Sequence, residues 1–297
     1  MNIMILGASG FIGQHLTGAL VDHHQLHLVT RQLSRLKKLH AKHPKVTPLT
    51  WEQLHNNPEL LKKMDVIINL CGQSILGIWT KSYQNKLFSS RTQPLAALDA
   101  LLHKIGHTPH IISISGVGAY GYQLPEEYQN ALVESDQAKH PSLLSDIAQQ
   151  AEGTLSVGLQ QNTCYLRLGV VLSSKGGSFP LMKIPHYFGL GMIIGDGQQP
   201  FSWVSLSDVI RSIKHVIEHQ LTGIYNMVSP QFETNESFNQ ELAQSLSRPL
   251  FLRLPIGVAR LFGKMFLTTI IQGQHVSSQK IQDTGFQFSC LKVTDIK

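Results

Sequence analysis

Ile3-Met4-Ile5-Leu6-Gly7-Ala8-Ser9-Gly10-Phe11-Ile12-Gly13, at the start of the chain, is the stretch whose reading decides the fold. Its first four residues form an unbroken apolar run of the kind a strand buried on both faces requires. After the last glycine, His15, Leu16, Ala19 and Leu20 continue the helical spacing begun by Phe11 and Ile12. Gly7, Gly10 and Gly13 therefore fall at a strand-to-helix turn. Side chains missing there let backbone N–H groups close on a pyrophosphate, and the helix N-terminus adds partial positive charge. Strand, turn and helix stand where a dinucleotide fingerprint needs them, so Gly7, Ser9, Gly10, Phe11, Ile12 and Gly13 are expected to contact the phosphates.

A second strand, Leu26–Thr30, ends in Arg31. An acid at this point would accept hydrogen bonds from the adenosine ribose and select NAD. Thr30-Arg31 offers a guanidinium instead, which suits the 2′-phosphate of NADP(H). Arg35, Lys37 and Lys38 follow. They read either as a solvated helix face or as further cations, and Arg35 is kept among the candidate cofactor contacts.

Down the chain, a helix is expected over Arg31–Lys45, a strand at Val46–Leu49, and a loop beginning at Trp51. Asp65–Gly72 reads as a fourth strand with its exit turn, which brings Leu70, Cys71 and Gly72 beside the glycine loop. A helix starts near Lys81, Ile111–Ser115 is a fifth strand, Leu143–Leu155 is helical, and Cys164–Leu172 is a sixth strand. Ser207-Asp208 is expected to cap a helix over Val209–Ile217, ahead of a last strand at Tyr225–Val228 and a helix at Phe238–Leu246. Alternating strands and helices of this kind give an α/β, doubly wound parallel sheet of the NAD(P)-binding Rossmann type, with a small, mainly α C-terminal lobe. The division expected is 1–230 for the nucleotide domain, with a glycine-rich pocket or lid segment at 172–202, and 231–297 for a substrate-side lobe.

Composition narrows the function classes. The chain has 297 residues, 42% of them hydrophobic, and no apolar run near the ~20 residues of a membrane span. Met1 leads directly into the first strand, so no signal peptide is expected. Cys71, Cys164 and Cys290 are far apart and odd in number, which suits reduced thiols in a cytoplasmic protein. The formal charge of +6 comes without interleaved aromatic residues or a nucleic-acid motif. It is assigned to an anionic cofactor and, in part, to a small-molecule substrate that is itself anionic. Of the fifteen histidines, His23, His24, His40, His43, His103 and His107 fall in turns and polar helix faces, and no pair sits at i,i+4 with a carboxylate partner in a ligand-like cluster, so no metal site is expected.

Taken together these residues resemble the atypical, extended short-chain dehydrogenases known as sugar-nucleotide epimerase-like proteins with a C-terminal domain of unknown function. The resemblance runs nearly the whole chain. It includes the glycine spacing, Thr30-Arg31, Asn69-Leu-Cys-Gly72, Trp79-Thr80, Ser90-Arg91, Arg167-Leu-Gly-Val-Val-Leu172, Trp203-Val-Ser-Leu-Ser-Asp208 and Asn226-Met-Val-Ser-Pro230. It implies NADP held by the glycine loop, Thr30-Arg31 and Leu70-Cys71, with Lys86, Arg91 and Val171 approaching the cofactor. For Lys86 a solvated helix cation is an equal reading; Arg91 is expected at a helix start. A homodimer through the helix Thr92–His103 is offered by fold analogy alone.

Short-chain dehydrogenases move a proton with a Tyr whose pKa is lowered by a Lys one helical turn later. None of the seven tyrosines has a Lys four residues on. In the helix where the pair belongs, Ala148 and Glu152 stand at the Tyr and Lys positions, and Glu152 reads as a structural partner for a cation. What survives is Ser115, at the end of the fifth strand, either orienting a substrate oxygen or satisfying backbone. Tyr120 is a candidate substitute acid or else a packing corner. Three functions stand at this point: an NADP-dependent oxidoreductase or epimerase with unorthodox proton donors, an NADPH-binding sensor with little turnover, and a regulator acting by protein contact.

Overall fold

The computed structural model describes residues 1–31, 33–34, 36, 43–259 and 272–296. Seven strands form one parallel sheet: β1 (Asn2–Leu6), β2 (Gln25–Val29), β3 (Val46–Leu49), β4 (Val66–Asn69), β5 (His110–Gly116), β6 (Thr163–Leu168) and β11 (Gly223–Met227). Their spatial order is β11-β6-β5-β4-β1-β2-β3, so the direction of winding reverses beside β1. That reversal opens a crevice at the carboxyl ends of the strands, where ligands bind in this class of sheet.

Alternation along the strands divides the core into two layers. Ile3, Ile5, Ile68, Ile112 and Leu166 face one side, packing with Leu16 and Leu20 of helix α1 (Phe11–Leu20). Val209, Ile213 and Val216 of a later helix, Leu206–His219, complete that layer. Met4, Leu6, Ile67, Ile111 and Tyr165 face the other side. There they meet Leu95, Leu98 and Leu102 of a 25-residue helix over Lys81–Ile105. The apolar run of the opening stretch is thus buried on both faces, with Ile3 to Leu6 all at 0% exposure.

Several expectations are corrected. Trp51 begins helix α2 (Trp51–Asn56) rather than a loop, because Thr50 and Gln53 form a reciprocal capping box. The sixth strand is two strands. It breaks at Gly169, where a Cβ would stand 2.7 Å from the Ser202 carbonyl. The chain then leaves the main sheet as β7 (Val170–Ser173), which pairs with β8 (Gly176–Gly177) and β10 (Trp203–Ser205). The 172–202 segment also carries a nine-residue helix, Phe179–Tyr187, and strand β9 (Met192–Ile194), which pairs with β12 (Leu252–Leu254). The Arg31–Lys45 helix reading falls largely outside the described residues, as do Arg35, Lys37 and Lys38. Among the described residues, no helix is long and apolar enough to cross a membrane.

The Leu206–His219 helix is capped by Ser205, one turn before the acid expected to share that role. Asp208 does different work. At 0% exposure, its carboxylate accepts from the Ser205 hydroxyl, from Arg211, and from the backbone N–H groups of Ser289 and Cys290. A buried carboxylate is retained only when fully paired, and here the pairing fastens the C-terminal segment to the start of the Leu206–His219 helix. Asp208→Ala is expected to lower unfolding stability by about 2–4 kcal/mol, because the backbone N–H groups of Ser289 and Cys290 and the Ser205 hydroxyl lose their acceptor. Urea denaturation reads the loss, and faster amide exchange over residues 286–295 would mark its location.

Candidate functional site

The glycine turn sets the floor of the site. Gly7 adopts φ +78, and a Cβ on it would lie 2.9 Å from the Leu70 carbonyl oxygen. A Cβ on Gly13 would lie 2.8 Å from both Ala8 Cα and the Gly7 oxygen. These approaches hold the exit of β1, the start of α1 and the exit of β4 within one side-chain thickness of each other. Helix α1 has no side-chain cap at Gly10 and no acid in its first turn, so neither group competes with an anion for that helix end.

Around this floor lies a cavity of about 520 Å³. Its walls include Gly7, Ser9 and Gly10 on one side, Thr30 and Arg31 at the end of β2, and Leu70, Cys71 and Gly72 at the exit of β4. Ser9 and Thr30 share a hydroxyl hydrogen bond of 2.7 Å that ties the glycine loop to β2. Arg31 is exposed to the cavity side, and Cys71, pushed up to about 12 by burial, is a neutral thiol. The cradle has the features a dinucleotide's adenosine and pyrophosphate need: an uncapped helix end, a glycine floor without room for side chains, and a guanidinium at the end of β2.

The two long-helix candidates exchange roles. The helix that carries them, α3 (Lys81–Ile105), is capped by Thr80 and broken nowhere before Gly106. Arg91 is its eleventh residue, in the helix interior rather than at a start. Its guanidinium donates to the carbonyls of Leu87 (3.0 Å) and Gln73 (3.1 Å) and packs against Gly72. Burial pulls its pKa below the ordinary guanidinium value. Arg91 shapes the loop after β4 from behind, whereas Lys86, exposed, lines the cavity itself. Val171 lies on β7, half-buried against the α1 side of the core. Phe11 of α1 carries Gly176 and Gly177, whose added Cβ atoms would each meet its ring at 3.0 Å. Trp51 and His55 of α2 also wall the cavity; sequence reasoning missed His55, and only its one-turn spacing from Trp51 could have signalled it.

The locus of the dehydrogenase Tyr/Lys pair is filled differently. Helix α4 (Leu143–Glu152) lies beside α3, with Ala148 buried at the Tyr position. Glu152 takes a bidentate ion pair from Arg167 of β6, at 3.0 Å and 2.7 Å. Burial opposes the guanidinium's charge, and the Glu152 carboxylate more than offsets it, so the Arg167 pKa is raised. The structural role read for Glu152 is the one it has. The Arg167 guanidinium lies 4.8 Å over the Tyr120 ring. Tyr120 is 2% exposed, and its hydroxyl donates to Asn226 at 2.7 Å. Burial raises its pKa, with Arg167 and Asn226 opposing. With its hydroxyl committed to Asn226 and its ring under Arg167, Tyr120 stands as the packing corner.

Ser115 is in register with Arg167 on the neighbouring strand, and successive same-face positions put Ser113 and Ser115 on the α3–α4 side. Asn69 donates to the Ser113 hydroxyl at 3.1 Å. Among the described residues, the Ser115 hydroxyl and Arg167 Nη1 are both buried without a hydrogen-bond partner, at the carboxyl end of the sheet.

The fold and crevice define a dinucleotide-binding α/β protein. The model of the NAD-dependent epimerase/dehydratase family matches residues 3–227, and the chain belongs to that family, within the short-chain dehydrogenase superfamily. It is 31% identical over 299 residues to an epimerase family protein of Staphylococcus saprophyticus, covering 99% of this chain and 96% of that one. Epimerase family protein YfhF of Bacillus subtilis is likewise 31% identical, with 97% and 94% covered. The crystal structure of human epimerase family protein SDR39U1 (isoform 2) with NADPH superposes with a TM-score of 0.85 at 27% identity, covering 99% of this chain and 97% of that one. A Thermus thermophilus UDP-glucose 4-epimerase complex with NAD shares the fold at a TM-score of 0.77 and 14% identity, with 100% and 97% covered.

The two glycines of α1 separate the demands of the cradle from ordinary helix propensity. Gly18→Ala, with nothing within 4 Å of its added Cβ, is expected to raise stability by about 0.5–1 kcal/mol. Gly13→Ala is expected to lower it by about 1–3 kcal/mol through overpacking. Opposite signs in paired urea titrations are the result that the close approach at Gly13 requires.

Proposed function

We propose that the protein binds NADP(H), with the adenosine half in the 520 Å³ crevice and the 2′-phosphate against Arg31. The carrying observation is that Arg31 lines the same cavity as Gly7, Ser9 and Gly10, at the end of β2 where an acid would select the unphosphorylated nucleotide. The similarity to human SDR39U1, whose crystal structure is one with NADPH, supports the same choice. Lys86 supplies a second cation on the crevice wall, and Leu70–Gly72 approach the nucleotide with backbone. When bound, the nicotinamide supplies or accepts hydride.

The reaction proposed is that of an NADP(H)-dependent oxidoreductase or epimerase on a small molecule held at the carboxyl ends of β5 and β6. Ser115 orients a substrate oxygen, since its hydroxyl is unpartnered and at the right strand end. Tyr120 and Glu152 hold the fold around it. A second reading, a cofactor-binding sensor with weak or no turnover, is favoured by one observation: the groups at the usual Tyr/Lys locus are committed to the Glu152–Arg167–Tyr120–Asn226 network.

Fluorescence titration with NADPH and NADH tests the nucleotide reading. Charge-assisted contacts of this kind are worth about 1.5–3 kcal/mol, so Arg31→Ala is expected to weaken NADPH by about ten- to a hundredfold while leaving NADH nearly unchanged. Equal loss for both nucleotides makes Arg31 a structural residue. For the reaction, NADPH oxidation with a carbonyl panel is expected to fall in Ser115→Ala without a change in NADPH affinity. Turnover that survives the substitution removes Ser115 from the chemistry.

A further inference from the structure

Two segments in the second half of the chain leave a helix in the same way. The helix Phe179–Tyr187 gives out at Gly189, φ +69, where the Gly189 N–H donates to the His186 carbonyl at 2.9 Å and the Leu190 N–H to the Pro185 carbonyl at 2.8 Å. The helix Asn235–Ser245 gives out at Ser247, φ +52, where the Ser247 N–H donates to Gln244 at 3.0 Å and the Arg248 N–H to Ala243 at 2.9 Å. A left-handed residue with this pair of bonds ends a helix and turns the chain away from its axis. The strands that follow, β9 and β12, then pair in parallel with Met192 opposite Leu252. Leu190 and Phe251, just ahead of that pair, are brought into neighbouring positions.

The helix Phe179–Tyr187 has two unlike sides. Phe179 and Met182 pack with Trp203, Phe238 and Leu242, and His186 is buried. Leu181, Ile184 and Phe188 recur at helical spacing on the side away from that core, and all three are exposed, Phe188 at 77%. With Leu190 and Phe251, the latter 71% exposed, they form an apolar surface, and such a surface on a folded chain marks a contact.

The charge around this surface favours one kind of contact. Ser173–Gly195 and Leu242–Ala259 contain no Asp or Glu, and they carry Lys175, Lys183, Arg248 and Arg253. The flanking acids are Asp196 after β9, and Glu236 and Glu241 on the helix Asn235–Ser245. Arg253 pairs with Glu236 at 2.6 Å, and Lys183 lies 4.4 Å over the Phe179 ring. That leaves Lys175 and Arg248, both exposed, to meet a charge from outside. A second copy of the chain would set these cations against themselves across a twofold axis. An anionic bilayer suits both features, since it takes apolar side chains at its headgroup boundary and attracts Lys and Arg.

We propose that this face docks peripherally on an anionic lipid bilayer, with Leu181, Ile184, Phe188, Leu190 and Phe251 entering the interface and Lys175 and Arg248 meeting lipid phosphate. The nine-residue helix lies along the surface and spans nothing, and Tyr187 at its end is of a type that bilayer interfaces favour. None of these residues lines the nucleotide crevice, so the contact stands or falls separately from the nucleotide reading.

Sedimentation with sucrose-loaded vesicles tests the proposal, using phosphatidylcholine alone and an equimolar mixture with phosphatidylglycerol. A Lys or Arg near an anionic surface is worth about fivefold in partition, so the wild-type protein is expected to favour the mixture by about ten- to thirtyfold at low salt. Added salt is expected to reduce that preference. Phe188→Ser combined with Leu181→Ser is expected to lower partition by at least about tenfold, with the NADPH titration and the urea midpoint as checks that the fold is kept. Lys175→Gln combined with Arg248→Gln is expected to remove the preference for the anionic mixture. Val157→Ser, at an exposed apolar residue in the short helix ahead of β6, is expected to change nothing. Wild-type protein that stays in solution with both vesicles overturns the proposal, as does binding that survives Phe188→Ser with Leu181→Ser or that falls equally in Val157→Ser. A dimer in sedimentation velocity that Phe188→Ser dissociates assigns the face to a second copy and overturns it as well.

Discussion

The close approach of three backbone segments is the constraint on which the rest depends. Gly7 brings the end of β1 against Leu70 and Cys71, and Gly13 seats α1 on Ala8 and Gly7. A methyl group at either position would have to displace backbone, not a flexible side chain. The strands that deliver these segments are buried on both faces, so the approach is set by the packing of Ile3 to Leu6 between α1 and α3. Once that packing is fixed, the reversal of strand order beside β1 leaves a crevice of a given width with an uncapped helix end at its floor. A nucleotide-binding surface is therefore a consequence of folding the first thirty residues correctly.

The carboxyl ends of β5 and β6 answer to a different constraint. A guanidinium buried at 7% exposure must be paired, and Arg167 is paired twice with Glu152 and stacked once on Tyr120. Tyr120 passes the network to Asn226, whose side chain donates to the Ser277 carbonyl and whose backbone N–H donates to Glu134. The chain links β6, the turn after β5, β11 and the C-terminal segment. Its members are too costly to remove singly, so they serve the assembly of the sheet's ends. The Ser115 hydroxyl and Arg167 Nη1 are what this network leaves over.

The legible parts of the sequence were those where local pattern and global packing agree. Val46–Leu49 and the start of the helix at Lys81 are marked by periodicity and a cap, and they fall where expected. Gly7 to Gly13 is legible because only glycine meets its steric demands. The misread parts have tertiary causes. Gly169 looks like an interior residue of one strand, and nothing local reveals that Ser202 crosses it at 2.7 Å. Arg91 looks like a helix start because a long amphipathic segment follows it, yet α3 is one helix from Lys81 to Ile105, and the guanidinium turns to the Gln73 carbonyl. Tyr120 five residues after Ser115 looks close to a reactive centre, but its burial depends on Asn226, more than a hundred residues away. Lys86 was carried by the resemblance alone and His55 was missed, since an exposed polar side chain on a helix is ordinary until a cavity is found beside it.

This difference in legibility reflects a difference in what each end of the site tolerates. Positions 7 and 13 admit almost no side chain without moving backbone, so the nucleotide cradle cannot be lost while the fold is kept. Positions 148 and 152 lie on an amphipathic helix, where any residue of suitable size and polarity can be accommodated. Ala148 completes a buried face and Glu152 neutralises Arg167. A dehydrogenase framework can therefore exchange its proton donors for structural groups without disturbing the surface that holds the nucleotide. The close backbone approaches that shape the crevice are built into the folding of this chain, whereas among the described residues the strand-end groups Ser115 Oγ and Arg167 Nη1 are left over by it.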